Sequence, residues 1–265
     1  MSTRSRTAAS IVALSVAVGL AILAYGGGNV LAVFVGFLLE QSGIELAPRH
    51  LIILSVVTIQ LVAFVGVSIG YLQYRERSLR DIGVEMPSLE GWLTTGAGFV
   101  GVLVLWGLAA VGTVLISNRY GIEQPQQEII RLGQEDPVVF LLLAVLSILI
   151  VGPTEELLFR GVIQTRLRET FGVVSGLGLA TFVFAVIHLP GYANGSLLSA
   201  VLGITILFLV GSILAVTYEY TGNLVVPAII HGLFNAAQGA LGYFSVRFAP
   251  EEVAGFVNLL LAFVP

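Results

Sequence analysis

Cysteine is absent from this 265-residue chain, which excludes disulfides, thiolate metal sites and cysteine-nucleophile catalysis. Lysine is absent as well, so all 12 basic residues are arginine. Charge of either sign is scarce: 11% of residues are charged, against about a quarter in an ordinary soluble domain. The net charge of -4 is scattered, and no basic tract is present of the kind that captures nucleic acid or anionic lipid. Internal repeats and low-complexity tracts are missing too, which counts against transporters built on a detectable duplication. No Gly-x-Ser-x-Gly elbow, no Ser-His-Asp order and no His-Glu-x-x-His motif occurs.

What fills the chain is apolar sequence, 57% of residues, with a mean hydropathy of +0.98. Runs of this length match the roughly 20 residues an α-helix needs to cross a bilayer core of about 30 Å. The expected fold is therefore all-α, a polytopic transmembrane bundle of about eight spans, seven to nine at the limits. The spans fall at 10–39, 51–74, 92–117, 138–163, 172–190, 197–218, 224–243 and 252–264, and residues 1–265 read as one integral membrane domain. The first run resembles a signal peptide behind Arg4 and Arg6, but the apolar sequence continues past Ala24, so an uncleaved span is the better reading. Its Gly26-Gly27-Gly28-Asn29 stretch allows it to tilt, kink or split, and the last run is short enough to be interfacial. Between Asn118 and Pro137, Pro125 followed by Ile129, Ile130 and Leu132 predicts a short helix on the surface. Alternating eight spans puts Arg4, Arg6, Arg75, Arg77, Arg80, Arg166 and Arg168 on one side and Arg49, Arg119, Arg131 and Arg247 on the other. The positive-inside bias makes the first side cytoplasmic, with both termini on it, in a multi-pass protein of the cell membrane.

Against this background a few polar groups stand out. Glu155, Glu156 and Arg160 place three charges within six residues of an apolar helix, where insertion scales assign about 2.5 to 3.5 kcal/mol to a central charge. Gly152-Pro153 loosens the helix just before them, since proline removes a backbone donor. Glu156 and Arg160 at i and i+4 share a face, which leaves Glu155 pointing elsewhere, toward a cavity. All three would equally serve as a structural ion network. His188 closes the fifth run. An antiparallel hairpin turning at Glu169-Thr170-Phe171-Gly172 brings it to nearly the depth of Glu155. Phe184, one turn earlier, reads as packing, and His50 beside Arg49 reads as interfacial. In the seventh run His231 and Asn235 again lie at i and i+4; alone they would be ordinary interhelical glue, about 0.6 to 2 kcal/mol per contact.

Together these helices offer a carboxylate, two imidazoles and a carboxamide, a set suited to water activation and oxyanion stabilisation in a polar cavity inside the membrane. A zinc reading stays open, with Glu155, His188 and His231 as three ligands and water as the fourth.

The same residues fall into three ordered motifs: Glu155-Glu156-Leu157-Leu158-Phe159-Arg160 fits Glu-Glu-x-x-x-Arg, Phe184 to His188 fits Phe-x-x-x-His, and His231 to Asn235 fits His-x-x-x-Asn. In these motifs the chain resembles the CPBP (Abi) intramembrane proteases, which include the type II CAAX prenyl endopeptidases. The likeness is concentrated in a core at about 138–242; the first three spans match only as generic membrane helices. The resemblance implies an intramembrane endopeptidase acting on a membrane-embedded or lipidated peptide, with the bilayer as a partner and no nucleic acid. It implies Glu155 as general base, activating water with His188, His231 and Asn235 as the oxyanion site, and Glu156 and Arg160 as supporting residues. The family has been described both as metalloproteases and as glutamate proteases, and the second, without a cofactor, is favoured. Rival classes are a non-catalytic scaffold or immunity protein of the same fold and a proton-coupled carrier using Glu155 and the histidines as a relay.

Overall fold

The structure, a computed structural model, describes residues 3–122, 128–192 and 194–261. Nine helices, two short 3-10 turns and no strands occur among them. We number the helices α1 (Thr3–Gln41), α2 (Pro48–Tyr74), α3 (Leu89–Tyr120), α4 (Glu128–Glu135), α5 (Val138–Phe171), α6 (Val173–Ile187), α7 (Leu197–Thr221), α8 (Val225–Phe248) and α9 (Glu251–Leu261). Six of them are long and apolar enough to cross a membrane, and α6 is a shorter apolar helix. The protein is a polytopic helical bundle in which each of the eight expected runs is helical over most of its described residues. Large apolar side chains such as Val33, Leu108 and Leu149 face outward, as hydrocarbon requires, while the helices satisfy their own backbone groups.

Of the alternatives open to the first run, splitting in two does not occur. Helix α1 continues through its glycines, where the Asn29 side chain donates to the Tyr25 carbonyl and Gly28 is pressed against α2, a Cβ there falling 2.8 Å from the Ile59 Cα. Those glycines thus serve packing. Ala13, Ala17, Ala21 and Ala24 continue the same small-residue face, and all are buried. The short surface helix appears as α4, with Leu132 buried and Ile129 and Ile130 half-buried; Pro125 lies outside the described residues. So does the end of the last run, of which α9 is the described part.

Helix α5 is the axis of the bundle. Over its 34 residues it reaches about 50 Å, well beyond a hydrocarbon core of about 30 Å, so it must tilt or project. The loosening expected at Gly152-Pro153 is taken up by π-helical turns rather than a break: Ser147–Val151 and Leu157–Gln164 are π-helical, with one α-helical turn, Gly152–Glu156, between them. Such wide turns inside a helix are frequent at functional sites. Every residue from Leu157 to Gln164 is buried, the mark of a helix covered on all sides.

Helix α8 lies along the first half of α5 and α6 along the second. Glycine sets how close α8 comes. A Cβ on Gly152 would lie 2.7 Å from both the Ala228 carbonyl oxygen and the Gly232 nitrogen, and one on Gly232 would lie 2.8 Å from the Ile148 Cα. That backbone contact is flanked by Glu155 and Glu156 on one side and His231 on the other. At the arginine-rich end, Glu169 of α5 binds Arg75 (3.1 Å) and Arg77, and Arg168 binds Glu219 of α7 (2.9 Å). The loop after α2 is clamped there too: Gly83, at φ 76°, carries a carbonyl that accepts from Leu224, and Tyr218 donates to the Ile82 carbonyl.

Because the α5–α8 contact admits no side chain, Gly232→Ala is expected to destabilise the protein by about 1–3 kcal/mol. The check is thermal melting in detergent against Gly178→Ala, whose Cβ would meet nothing within 4 Å and which should melt no lower than wild type. Equal melting of both variants would contradict the close approach.

Candidate active site

Four of the six residues singled out in the sequence converge on one buried cluster. Glu156, which has no exposed surface, accepts from His231 Nδ1 at 2.9 Å through Oε1, while its Oε2 lies 3.2 Å from Arg160 Nε. The expected i, i+4 pair is therefore formed. It is an ion pair rather than an aligned hydrogen bond, because Arg160 Nε and Nη1 and Glu156 Oε2 have no hydrogen-bond partner among the described residues. Arg160 has no exposed surface either; its Nη2 donates to the Gly211 carbonyl at 3.3 Å and its guanidinium stands 4.9 Å from the centre of the Phe184 ring.

Glu155 takes the other direction, as two adjacent helical residues must. It is 7% exposed and is not left unpartnered: Oε1 accepts from Gln60 Nε2 at 2.9 Å, and Oε2 lies 3.8 Å from His231 Nε2. The Gln60 carboxamide is itself held, since Thr154 donates to its oxygen at 2.6 Å. His231 thus stands between two carboxylates. A carboxylate only accepts, so the Nδ1 proton points to Glu156, and a second proton on Nε2 would point to Glu155. With that proton, two negative and two positive groups balance in the buried site.

His188 makes no hydrogen bond or ion pair with the carboxylates among the described residues, although it lies within electrostatic reach of Glu155. Its Nδ1 is 2.8 Å from the Phe184 carbonyl, which fixes the Nδ1-H tautomer and leaves the Nε2 lone pair free. Its ring is 5.0 Å from that of Phe184, which in turn is 6.0 Å from the His231 ring. Phe184 is thus more than filler: it is the wall that Arg160, His188 and His231 share. Asn235, half-buried, makes no hydrogen bond to the carboxylates, and its Oδ1 is buried without a partner among the described residues. It lines a cavity of about 120 Å³ whose far wall includes Ser147 and Val151, the turns of α5 just before Glu155.

Sequence reasoning missed Gln60 and Thr154. The available signal was a carboxamide in the middle of the apolar run 51–74, in the π-helical stretch Val56–Phe64. Among the described residues no group of three His, Asp or Glu side chains is placed to hold a metal ion. The Nδ1 atoms of His188 and His231 are held by the Phe184 carbonyl and Glu156, so Nε2 is the ring atom through which either could bind a ligand.

Removing one partner of the buried pair should be worse than removing both. Arg160→Met is expected to cost about 3–5 kcal/mol by stranding Glu156, and adding Glu156→Gln should recover part of the loss. Denaturant or thermal unfolding of the two single variants and the double measures this. Additive losses would contradict the pairing.

Residues 137–237 match the model of the Rce1-like family, described as type II CAAX prenyl endopeptidase Rce1-like. The "Uncharacterized protein YpbD" of Bacillus subtilis (strain 168) is 35% identical over 88 residues, which cover 33% of this chain and 39% of YpbD. No solved structure matches the chain. All six motif residues lie inside the matched segment, so it is in the stretch carrying the candidate site that the chain is similar to the Rce1-like type II CAAX prenyl endopeptidases.

Proposed function

We propose that the protein is an intramembrane endopeptidase of the CAAX prenyl protease type, hydrolysing a peptide bond in a lipidated or membrane-embedded substrate. The observation that carries this reading is Glu155: a carboxylate sunk in an apolar bundle, with one oxygen fixed by Gln60 and the other facing His231. Its setting is that of a positioned base rather than of a plain ion pair.

In the proposed reaction Glu155 takes a proton from water as the water oxygen attacks the scissile carbonyl carbon. His188, through its free Nε2, accepts the second hydrogen of that water and orients it. Charge develops on the carbonyl oxygen, and donors on His231 and Asn235 stabilise it, an effect of about 3–4 kcal/mol per donor in sites of this kind. Collapse of the intermediate breaks the C–N bond, and the proton held by Glu155 passes to the leaving amine. Glu156 and Arg160 touch no reacting atom; they hold His231. No step runs through a metal. The catalytic core is taken as 138–242 within a single membrane domain, in the cell membrane, with both termini on the cytoplasmic side by the arginine bias.

The test is cleavage of a farnesylated CAAX peptide and a panel of other lipidated and transmembrane peptides by the purified protein. Wild type is expected to release the carboxy-terminal fragment, Glu155→Ala to lose about 10²–10⁴-fold of the rate, and a metal chelator to leave wild type unchanged. Loss with the chelator would instead favour zinc. Wild type and Glu155→Ala equally inert across the panel would overturn the enzyme reading in favour of a scaffold, or of a carrier if pH-dependent flux appears in liposomes.

A further inference from the structure

Gln238 is 3% exposed, yet neither its Oε1 nor its Nε2 has a hydrogen-bond partner among the described residues. Both amide atoms of a buried glutamine left unpaired cost stability, and such groups call for an explanation. Gln238 lines the same cavity as Asn235. Apart from Ser147 its other walls are apolar, among them Ile130 of α4, Phe140 and Val151 of α5 and Leu261 of α9, and no charged side chain lines it among the described residues. A ligand there is neutral, with an apolar body and both a donor and an acceptor to offer.

We propose that Gln238 is a substrate-positioning residue, pairing its carboxamide with a backbone amide of the bound chain while the cavity takes an apolar side chain beside it. A planar carboxamide presents one acceptor and one donor edge, the complement of the N–H and C=O of a peptide. Register supports the assignment: His231, Asn235 and Gln238 at i, i+4 and i+7 share one face of α8. From His231 to Gln238 is about 10 Å along the helix, the span of about three residues of extended chain. A chain with its scissile carbonyl at His231 and Asn235 therefore reaches Gln238 two or three residues away. This rests on the protease reading only in taking the ligand as substrate; the site itself follows from the unpaired amide and the cavity.

The test separates the two. Full-length protein carrying Glu155→Gln, in lipid nanodiscs, is titrated by ligand-observed NMR with N-acetyl-leucine N-methylamide and with N-acetyl-leucine methyl ester, which lacks one N–H donor. The amide should bind about fivefold to tenfold tighter than the ester, and adding Gln238→Met should abolish that preference while apolar affinity for the ester remains. A purely structural role for Gln238 would not move the amide-to-ester ratio. Ile130→Trp, which fills the cavity from α4, should weaken both probes at least tenfold and serves if the methionine variant does not fold. The inference is overturned if neither probe binds, if the parent shows no preference, if the preference survives Gln238→Met, or if Ile130→Trp leaves both affinities unchanged. None of these outcomes bears on Glu155-dependent cleavage, which stands or falls by its own assay.

Discussion

A guanidinium with no exposed atom, inside a bundle whose outer surface is hydrocarbon-facing, dictates much of what surrounds it. Arg160 needs a counter-charge, acceptors for its donors and a polarizable face, and the fold supplies Glu156, the Gly211 carbonyl and the Phe184 ring from α5, α7 and α6. Once Glu156 is committed to Arg160, its second oxygen holds His231, and His231 in turn faces Glu155. The desolvation of these groups is a heavy penalty that their mutual attraction only partly offsets. Such a penalty in the middle of an apolar helix accords with the proposed role of Glu155 as a base in a low-dielectric setting.

Backbone proximity makes the arrangement reachable. Gly152 and Gly232 let α5 and α8 touch main chain to main chain, bringing an imidazole on one helix within hydrogen-bond distance of a carboxylate on the other. The π-helical turns on either side of Gly152–Glu156 do related work, changing the direction of side chains along α5 without interrupting its hydrogen bonds. Gln60 on α2 also sits in a π-helical stretch, and its carboxamide links Thr154 to Glu155. Wide helical turns on two helices thus meet at the same carboxylate.

The bundle was legible in the sequence because a bilayer leaves the backbone few alternatives: long apolar runs must be helices, and Gly172 marks the turn of the α5–α6 hairpin. The Glu156–Arg160 pair was legible for a local reason, since four residues apart on a helix is one face. The role of Gln60 was not, because its partner is 95 residues away and a carboxamide in an apolar run does not say which helix it will meet. Nor does sequence spacing tell that His231 turns between the two carboxylates while Asn235, one turn on, lines a cavity with Gln238. The glycines of α1 illustrate the same limit. A Gly-Gly-Gly run reads as a weak point in a helix, and only the neighbouring α2 backbone shows that Gly28 is a packing position.

The central claim is that His231 lies between Glu155 and Glu156 within the membrane bundle. With three histidines in the chain, solid-state NMR of protein in lipid bilayers, labelled with ¹⁵N-histidine and ¹³C-carboxyl glutamate, addresses it directly. The account predicts strong dipolar dephasing of both His231 nitrogens by carboxyl carbon, as nitrogen-to-oxygen distances of 2.9 and 3.8 Å require. Glu156→Ala should abolish the dephasing at Nδ1 and leave that at Nε2. His231 nitrogens that show no dephasing by any carboxyl carbon in the wild-type protein would contradict it.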